Sequence, residues 1–168
     1  VWTRDIRGMA VSNSYDAIGQ PTRKEYPDGT TEEWTYNQWG DITSYKDRVG
    51  RITRNVYDSV GRKIQEVDAR GVSVHFAYTA SDLLASVSNA AAGYVWKYYY
   101  DAEGRAITNV YPDSTVELRT YDAMGNVTQV VRGGISTTYL YDELGSRTAM
   151  LIGGQLVESN RYDGLGRL

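Results

Sequence analysis

The residues of this sequence that could do chemistry are one histidine, a set of regularly placed aspartates and a run of aromatic side chains. His75 is the single histidine, and cysteine is absent. A protein metal site needs three or four ligands, and a nucleophilic triad needs a base beside its nucleophile. We therefore expect a structural or surface role for His75, with no metal or cofactor site built around it.

The aspartates raise the possibility of glycoside hydrolysis, which uses two carboxylates. They recur at one position, directly after a tyrosine and three residues before a glycine. A residue repeated in this way is explained more simply by the turn that it begins. The chain is accordingly predicted not to be an enzyme. The aspartates at this position are Asp16, Asp58, Asp101, Asp122, Asp142 and Asp163.

The aromatic run Tyr94–Tyr100 contains the candidate ligand-binding residues. Tyr94, Trp96 and Tyr98 alternate along it and could stack on sugar rings. The same side chains could instead pack across strands, where aromatic pairs contribute roughly 0.2–1 kcal/mol each. The run is also similar to choline-binding and related wall-binding repeats, but those carry a Gly-Trp pair that this sequence lacks. Packing is the favoured interpretation, and carbohydrate stacking is the alternative.

The composition limits the class of partner. The formal net charge is −3, and the basic residues are scattered singly, which gives no electrostatic footprint for nucleic acid. No apolar run approaches the roughly 20 residues of a membrane helix, so we expect no membrane insertion by this segment. The first residue is Val1 and no leader follows it, so we expect a piece of a longer protein.

An internal repeat accounts for most of these residues. A tyrosine, usually followed by aspartate and then glycine, recurs with spacings of 21, 21, 21, 22, 21, 20 and 21 residues. A fixed period of this length is typical of tandem repeats. The repeats begin near Tyr15, Tyr36, Tyr57, Tyr78, Tyr100, Tyr121, Tyr141 and Tyr162.

The glycine of each motif predicts a particular turn. Aspartate at the start of a type I turn accepts hydrogen bonds from backbone amides, and the glycine supplies a left-handed residue next to a bulge. We expect positive φ at Gly19, Gly40, Gly61, Gly104, Gly125 and Gly145. The repeat at Tyr78 has Thr79 and Asp82 in place of aspartate and glycine, so it is expected to break the pattern.

A second set of turns falls midway between the tyrosines. One is Tyr26-Pro27-Asp28-Gly29, and another is Gly133-Gly134, which is shorter and predicts a primed two-residue turn. An earlier one lies within residues 4–9. Turns therefore recur every 10 or 11 residues and leave about seven residues for each strand, near the usual length.

The segments between turns alternate with period two, which indicates strands. Many of these segments are polar on both faces, which favours a single-layer sheet with solvent on both sides over a two-layer β-sandwich. The predicted fold is all-β: about eight antiparallel hairpins that form a curved, single-layer, spiralling sheet. Because an isolated hairpin is marginal in water, each repeat must be supported by its neighbours.

The Tyr-Asp-x-x-Gly-Arg segments, the roughly 21-residue period and the Pro-Asp-Gly turn resemble the YD-repeat, or Rhs-repeat, family. The resemblance covers the chain from about Arg4 to Leu168. It implies a segment of a hollow β-shell, as in bacterial Rhs polymorphic toxins, Tc toxin C components, wall-associated YD proteins and teneurins. In the toxins the shell encloses a C-terminal effector and ends in a DPxG-type self-cleavage segment, which does not occur in this sequence.

The resemblance therefore predicts one YD-repeat shell segment over residues 1–168, from a secreted or cell-surface protein that is most simply bacterial. Its function would be structural and non-catalytic: to encapsulate or present a toxin domain. Its partners would be flanking repeats and the enclosed effector, with no cofactor. The alternative function is a carbohydrate- or cell-wall-binding module.

Overall fold

A computed structural model of the chain describes residues 2–4, 10–163 and 166–167. All regular elements in these residues are β-strands, as the sequence predicted. The strands are β1 (Trp2–Arg4), β2 (Ala10–Tyr15), β3 (Pro21–Glu25), β4 (Thr31–Tyr36), β5 (Ile42–Lys46), β6 (Ile52–Tyr57), β7 (Lys63–Val67), β8 (Ser73–Tyr78), β9 (Leu84–Asn89), β10 (Tyr94–Tyr100), β11 (Ala106–Val110), β12 (Val116–Tyr121), β13 (Val127–Arg132), β14 (Ile135–Tyr141), β15 (Arg147–Ile152) and β16 (Gln155–Ser159). The turn predicted within residues 4–9 falls mostly outside the described residues.

The strands fall into two compact units. The first comprises Val1–Ala77 with Ser88–Gly93, and the second comprises Tyr78–Val87 with Tyr94–Leu168. Within the first unit each strand from β1 to β8 pairs antiparallel with the next in the chain. Within the second unit the strands from β10 to β16 pair in the same way. The predicted array of antiparallel hairpins is confirmed.

The alternation predicted for the strands is visible in their exposure. In β8, Val74 and Phe76 are half-buried while His75 between them is exposed. All seven residues of β10 alternate between half-buried and exposed. Successive side chains of a strand point to opposite faces, so each of these strands presents a more covered face and a wetter one.

A bulge precedes most of the motif tyrosines. At Tyr57, for example, Val56 pairs with Gln65 but Tyr57 pairs with Lys63, so one residue of β7 has no direct partner. The same irregularity occurs before Tyr15, Tyr36, Tyr100, Tyr121 and Tyr141. A bulge bends the strand that carries the extra residue, and here it recurs at a fixed position of the repeat.

Neither unit contains a dry core in its described residues. The one buried hydrophobic residue there is Ala149, and the buried polar residues are Asn89 and Glu117. Most side chains are only half covered, as expected for a single layer with solvent on both faces. Stability must then come from backbone ladders, turns and cross-strand side-chain pairs, each of which contributes little alone.

Candidate functional site

Most YD turns are organised around one aspartate oxygen. In the turn of Asp58, Oδ1 accepts hydrogen bonds from the backbone amides of Val60 at 3.0 Å and Arg62 at 2.9 Å. The Asp58 amide donates to the Arg62 carbonyl, and the Gly61 amide donates to the Asp58 carbonyl. Arg62 Nε then donates to Asp58 Oδ2 at 2.7 Å. One carboxylate therefore satisfies the loop's amides and also holds the arginine that follows the turn.

The same hydrogen bonds from two backbone amides to one carboxylate oxygen recur along the chain. Asp16, Asp101, Asp122 and Asp142 accept the same pair of backbone amides, two and four residues ahead. A hydrogen bond from the Asn126 side chain lowers the pKa of Asp122; burial opposes it, and backbone amides add to it. These interactions favour the ionised form. The prediction that the motif aspartates serve the turn is supported by these contacts.

The motif glycines have the predicted backbone conformation. Gly19 has φ 88°, Gly61 has φ 87° and Gly104 has φ 80°, all in the left-handed region. Gly133 and Gly134 have φ 57° and 79°, which matches the primed two-residue turn predicted there.

The prediction that the repeat at Tyr78 departs from the pattern is wrong. Thr79 Oγ1 takes the place of the aspartate oxygen and accepts from the amides of Ser81 and Leu83, both at 3.2 Å. Asp82 takes the place of glycine at φ 63°. Aspartate tolerates the left-handed conformation better than most residues because its side chain can hydrogen-bond locally. The turn geometry is therefore kept without either motif residue.

The motif tyrosines tie each repeat to the one before it. Tyr121 Oη donates to the carbonyl oxygen of Ala106, the first residue of β11, at 2.7 Å. The other tyrosine hydroxyls donate to the first residue of the corresponding strand in the same way. These pairs are Tyr36 to Pro21, Tyr57 to Ile42, Tyr100 to Leu84, Tyr141 to Val127 and Tyr162 to Arg147.

A second set of tyrosine hydrogen bonds, made to glutamate side chains, lies at the mid-repeat turns. In the first unit, Tyr26 Oη and Tyr45 Oη donate to the two oxygens of Glu32, at 2.5 and 2.8 Å. The bond from Tyr26 is the main cause that lowers the pKa of Glu32. In the second unit Tyr111 Oη donates to Glu117 at 2.9 Å. The sequence analysis did not predict these tyrosine–glutamate hydrogen bonds. A signal was present, because Tyr26 and Tyr111 each begin a Tyr-Pro-Asp turn and a glutamate follows each of them six residues later.

The residues predicted to stack on ligands share one face of β10. Tyr94, Trp96 and Tyr98 are all half-buried there. Trp96 packs edge-on against Tyr111, with ring centroids 4.8 Å apart and planes at 64°. Tyr98, but not Tyr94 or Trp96, borders a hollow of about 610 Å³ beside Tyr100. Packing thus accounts for Trp96, and ligand stacking by the three stays a prediction.

No described group of three or more histidine, cysteine, aspartate or glutamate side chains is arranged to hold a metal ion. His75 lies exposed on β8 opposite Gln65. In the described part of the chain no helix is long and apolar enough to cross a membrane. The interactions that recur are thus those that join turns and neighbouring strands, which defines the class of protein: an all-β tandem hairpin array.

Comparison with known proteins shows what this array is similar to. Residues 15–54 match the model of the RHS Repeat. The chain is 28% identical over 120 residues, 71% of its length, to double-stranded DNA deaminase toxin A of Burkholderia cenocepacia strain H111. It is 28% identical over 81 residues, 48% of its length, to a probable deoxyribonuclease RhsA of Dickeya dadantii strain 3937. Residues 15–54 therefore match the RHS repeat, and the chain as a whole is similar to proteins that carry such repeats.

Solved structures share the fold. The crystal structure of TcdB2-TccC3-Cdc42 superposes with a TM-score of 0.69 over 86% of this chain, at 15% identity. The Photorhabdus luminescens Tc holotoxin pore superposes with a TM-score of 0.67 over 84%, at 16% identity. The chain spans only 8% and 6% of the two sequence relatives and 9% of each of these structures. The likeness therefore concerns the repeat array and not the activities of the whole proteins.

Proposed function

We propose that this chain is a structural, non-catalytic segment of an RHS-repeat shell that encloses or presents a C-terminal toxin domain. The observation that carries the proposal is the recurring linkage between repeats: a side-chain oxygen that accepts two backbone amides in the YD turns, and a tyrosine bond to a strand of the preceding repeat. These contacts organise backbone and leave few side chains for chemistry. The bacterial relatives, a deaminase toxin and a probable deoxyribonuclease, support a toxin context.

The partners that follow from this proposal are flanking RHS repeats and an enclosed effector. The stretches that match this chain cover only 8% and 6% of the two sequence relatives. A segment of this size would supply one stretch of wall. Secretion from a bacterium is proposed on the same grounds.

Protection of the effector from protease tests the proposal. In the full-length protein that contains this segment, Gly61→Val and Gly125→Val place a β-branched residue at φ 87° and 88°, a conformation that such residues resist. We expect the effector to become cleavable in the double variant while it stays protected in the parent. Ile18→Thr, at a side chain that is 78% exposed, is the control. An effector that is cleaved equally fast in all three proteins would contradict enclosure.

Carbohydrate or cell-wall binding is the second candidate function. It is favoured by the hollow of about 610 Å³ that Tyr98 and Tyr100 border from one face of β10, because aromatic rings with polar neighbours suit a sugar ring. A glycan array with the wild-type chain and Tyr98→Ala tests it. Retention of a glycan by the wild type and its loss by the variant would support a binding role.

A further inference from the structure

The basic side chains of this protein repeatedly lie over an aromatic ring with a carboxylate beside them. In the first unit, Arg48 Cζ lies 3.9 Å from the ring centre of Tyr26, and its guanidinium contacts Asp28 at 2.6 Å. Lys63 Nζ lies 5.5 Å from the ring centre of Phe76 and 2.6 Å from Glu66. Attraction to the ring face and to the carboxylate act together on the cation.

The second unit repeats this arrangement. Arg105 Cζ lies 4.9 Å from the ring centre of Tyr121, and Arg105 Nε contacts Asp101 at 2.6 Å. Arg132 Cζ lies 4.0 Å from the ring centre of Tyr111 and pairs across strands with Glu117. At these four places a ring with a nearby carboxylate is therefore where one of the chain's own cations binds.

One aromatic pair of the first unit lacks such a cation. Trp34 on β4 and Tyr45 on β5 are cross-strand partners whose ring centroids lie 5.6 Å apart at 32°. Among the described residues, no lysine or arginine lies over either ring. The two side chains instead form one wall of an open hollow of about 720 Å³. That volume is within the range of small-ligand sites.

The other walls of this hollow supply negative charge and acceptors. Asp41 and Glu66 both border it, and the Glu66 side chain is 40% exposed. Asn55 also borders it and donates from Nδ2 to the Ile42 carbonyl at 2.9 Å. Its buried Oδ1 receives no hydrogen bond within the described part of the chain. The buried Asn55 Oδ1 is not accessible to a guest, and Glu66 also contacts Lys63 at 2.6 Å. The rings and the carboxylates together fit a guest that is cationic.

We propose that the hollow formed by Trp34, Tyr45, Asp41, Asn55 and Glu66 binds an external organic cation, a guanidinium or ammonium group on an aliphatic stem. The guest would lie over Trp34 and Tyr45 as Arg48 lies over Tyr26. Its N–H groups would donate to the carboxylates. This site is independent of the role in a shell and lies in the first unit, whereas the sequence had pointed to β10 in the second.

Charge distinguishes this guest from a sugar. A neutral sugar could stack on the same rings and donate hydroxyls to the carboxylates, but it would gain no charge–charge attraction from them. A cation gains from both, and the gain falls as salt screens it. The discriminating comparison is therefore between two guests of equal shape and different charge.

The experiment is an NMR titration of the full 168-residue chain that follows the indole N–H signal of Trp34. Nα-acetyl-arginine methylamide is the probe, and the citrulline analogue is its neutral isostere. Guanidinium chloride at low concentration shows how much of the binding comes from the guanidinium group without its aliphatic stem. We expect saturable shifts with the arginine probe, about tenfold weaker binding by citrulline, and weaker binding at high salt. Cellobiose is the neutral sugar.

Variants assign the site. Trp34→Leu should weaken binding of the arginine probe by about tenfold or more, followed through the remaining shifted signals. The double variant Asp41→Asn, Glu66→Gln keeps both rings and should weaken binding of the arginine probe by a similar factor. It tests the site even if the Trp34→Leu variant does not fold. Trp96→Leu is the matched control, since its partner ring Tyr111 already holds Arg132. Equal binding of arginine and citrulline, binding of cellobiose alone, or no saturable shift would each overturn the proposal.

Discussion

At the scale of single residues, hydrogen-bonding oxygens that recur at fixed repeat positions explain most of the sequence pattern. The aspartate of the turn is replaced by Asn37 and Thr79 in two repeats, and both side chains accept from the same two backbone amides. What the position requires is an acceptor close to the backbone rather than a negative charge. The arginine that often follows the turn adds an ion pair where the acceptor is charged.

The tyrosine bond between repeats should contribute measurably to stability. Tyr121→Phe removes the donor to the Ala106 carbonyl, a part-buried bond of 2.7 Å. We expect the free energy of unfolding in urea to fall by about 1 kcal/mol. Tyr99→Phe, at a side chain that is 51% exposed, should change it by less than about 0.5 kcal/mol. Equal effects of the two substitutions would mean that the hydroxyl bond is not what stabilises the repeat junction.

Stability should fall in acid because the pKa of several turn carboxylates is lowered. Backbone bonding by Val72 is the main cause for Asp68, and the Asn126 side chain is the main cause for Asp122. A carboxyl whose folded pKa lies below its unfolded value stabilises the fold above the unfolded pKa and loses that contribution as pH falls through the folded one. Thermal unfolding should therefore change little above about pH 5 and weaken progressively below about pH 4.

The Asp68→Asn and Asp122→Asn variants provide the control for this titration. Each keeps an acceptor oxygen but cannot ionise, so the acid-dependent loss should shrink in the double variant. A wild-type chain whose melting temperature stays constant down to pH 2 would contradict the assignment.

At the scale of the element, the hairpin turn is the unit whose geometry is most strongly specified. Ser114 has φ 66° at the position that Gly29 occupies with φ 78° in the equivalent Tyr-Pro-Asp turn. The left-handed conformation is costly for serine and free for glycine. Serine and glycine can therefore be exchanged at the same position of two closely similar turns.

Exchange of these two residues should shift stability in opposite directions. Ser114→Gly should raise the free energy of unfolding by about 0.5–1 kcal/mol, and Gly29→Ser should lower it by a similar amount. No neighbouring atom lies within 4 Å of a Cβ placed at Gly29, so the loss would come from the backbone alone. Urea unfolding of both variants measures it. Changes of the same sign would show that φ does not determine stability at this position.

The sequence was informative where structure depends on nearby residues. The turns could be predicted because Asp16 and Gly19 act within five residues of one another, and their chemistry is local. The prediction failed at Asp82 because the motif was interpreted by residue identity, whereas the turn needs only an acceptor and a tolerated φ. The bond from Tyr57 to Ile42 and the pairing of Trp34 with Tyr45 depend on bulges and register between strands, which the sequence does not show.

At the scale of the whole molecule, each unit is stabilised by contacts between neighbouring strands and not by a common core. In the described residues, Ala149 alone is a buried hydrophobic. Such arrays behave as sums of repeats and nearest-neighbour terms. This architecture suits a wall, because repeats can be added without redesign of an interior, and the proposed role in enclosing an effector uses that property.

Site-specific photo-crosslinking in the full-length protein tests enclosure most directly. Leu118 and Arg119 are successive residues of β12 and therefore point to opposite faces of the sheet. A benzophenone amino acid at each position in turn reports what lies against that face. Because a shell has one inner face, we expect efficient crosslinks to the effector from one of the two positions and not from the other. Crosslinks from neither position, or from both equally, would contradict the claim that this array forms the wall around an effector.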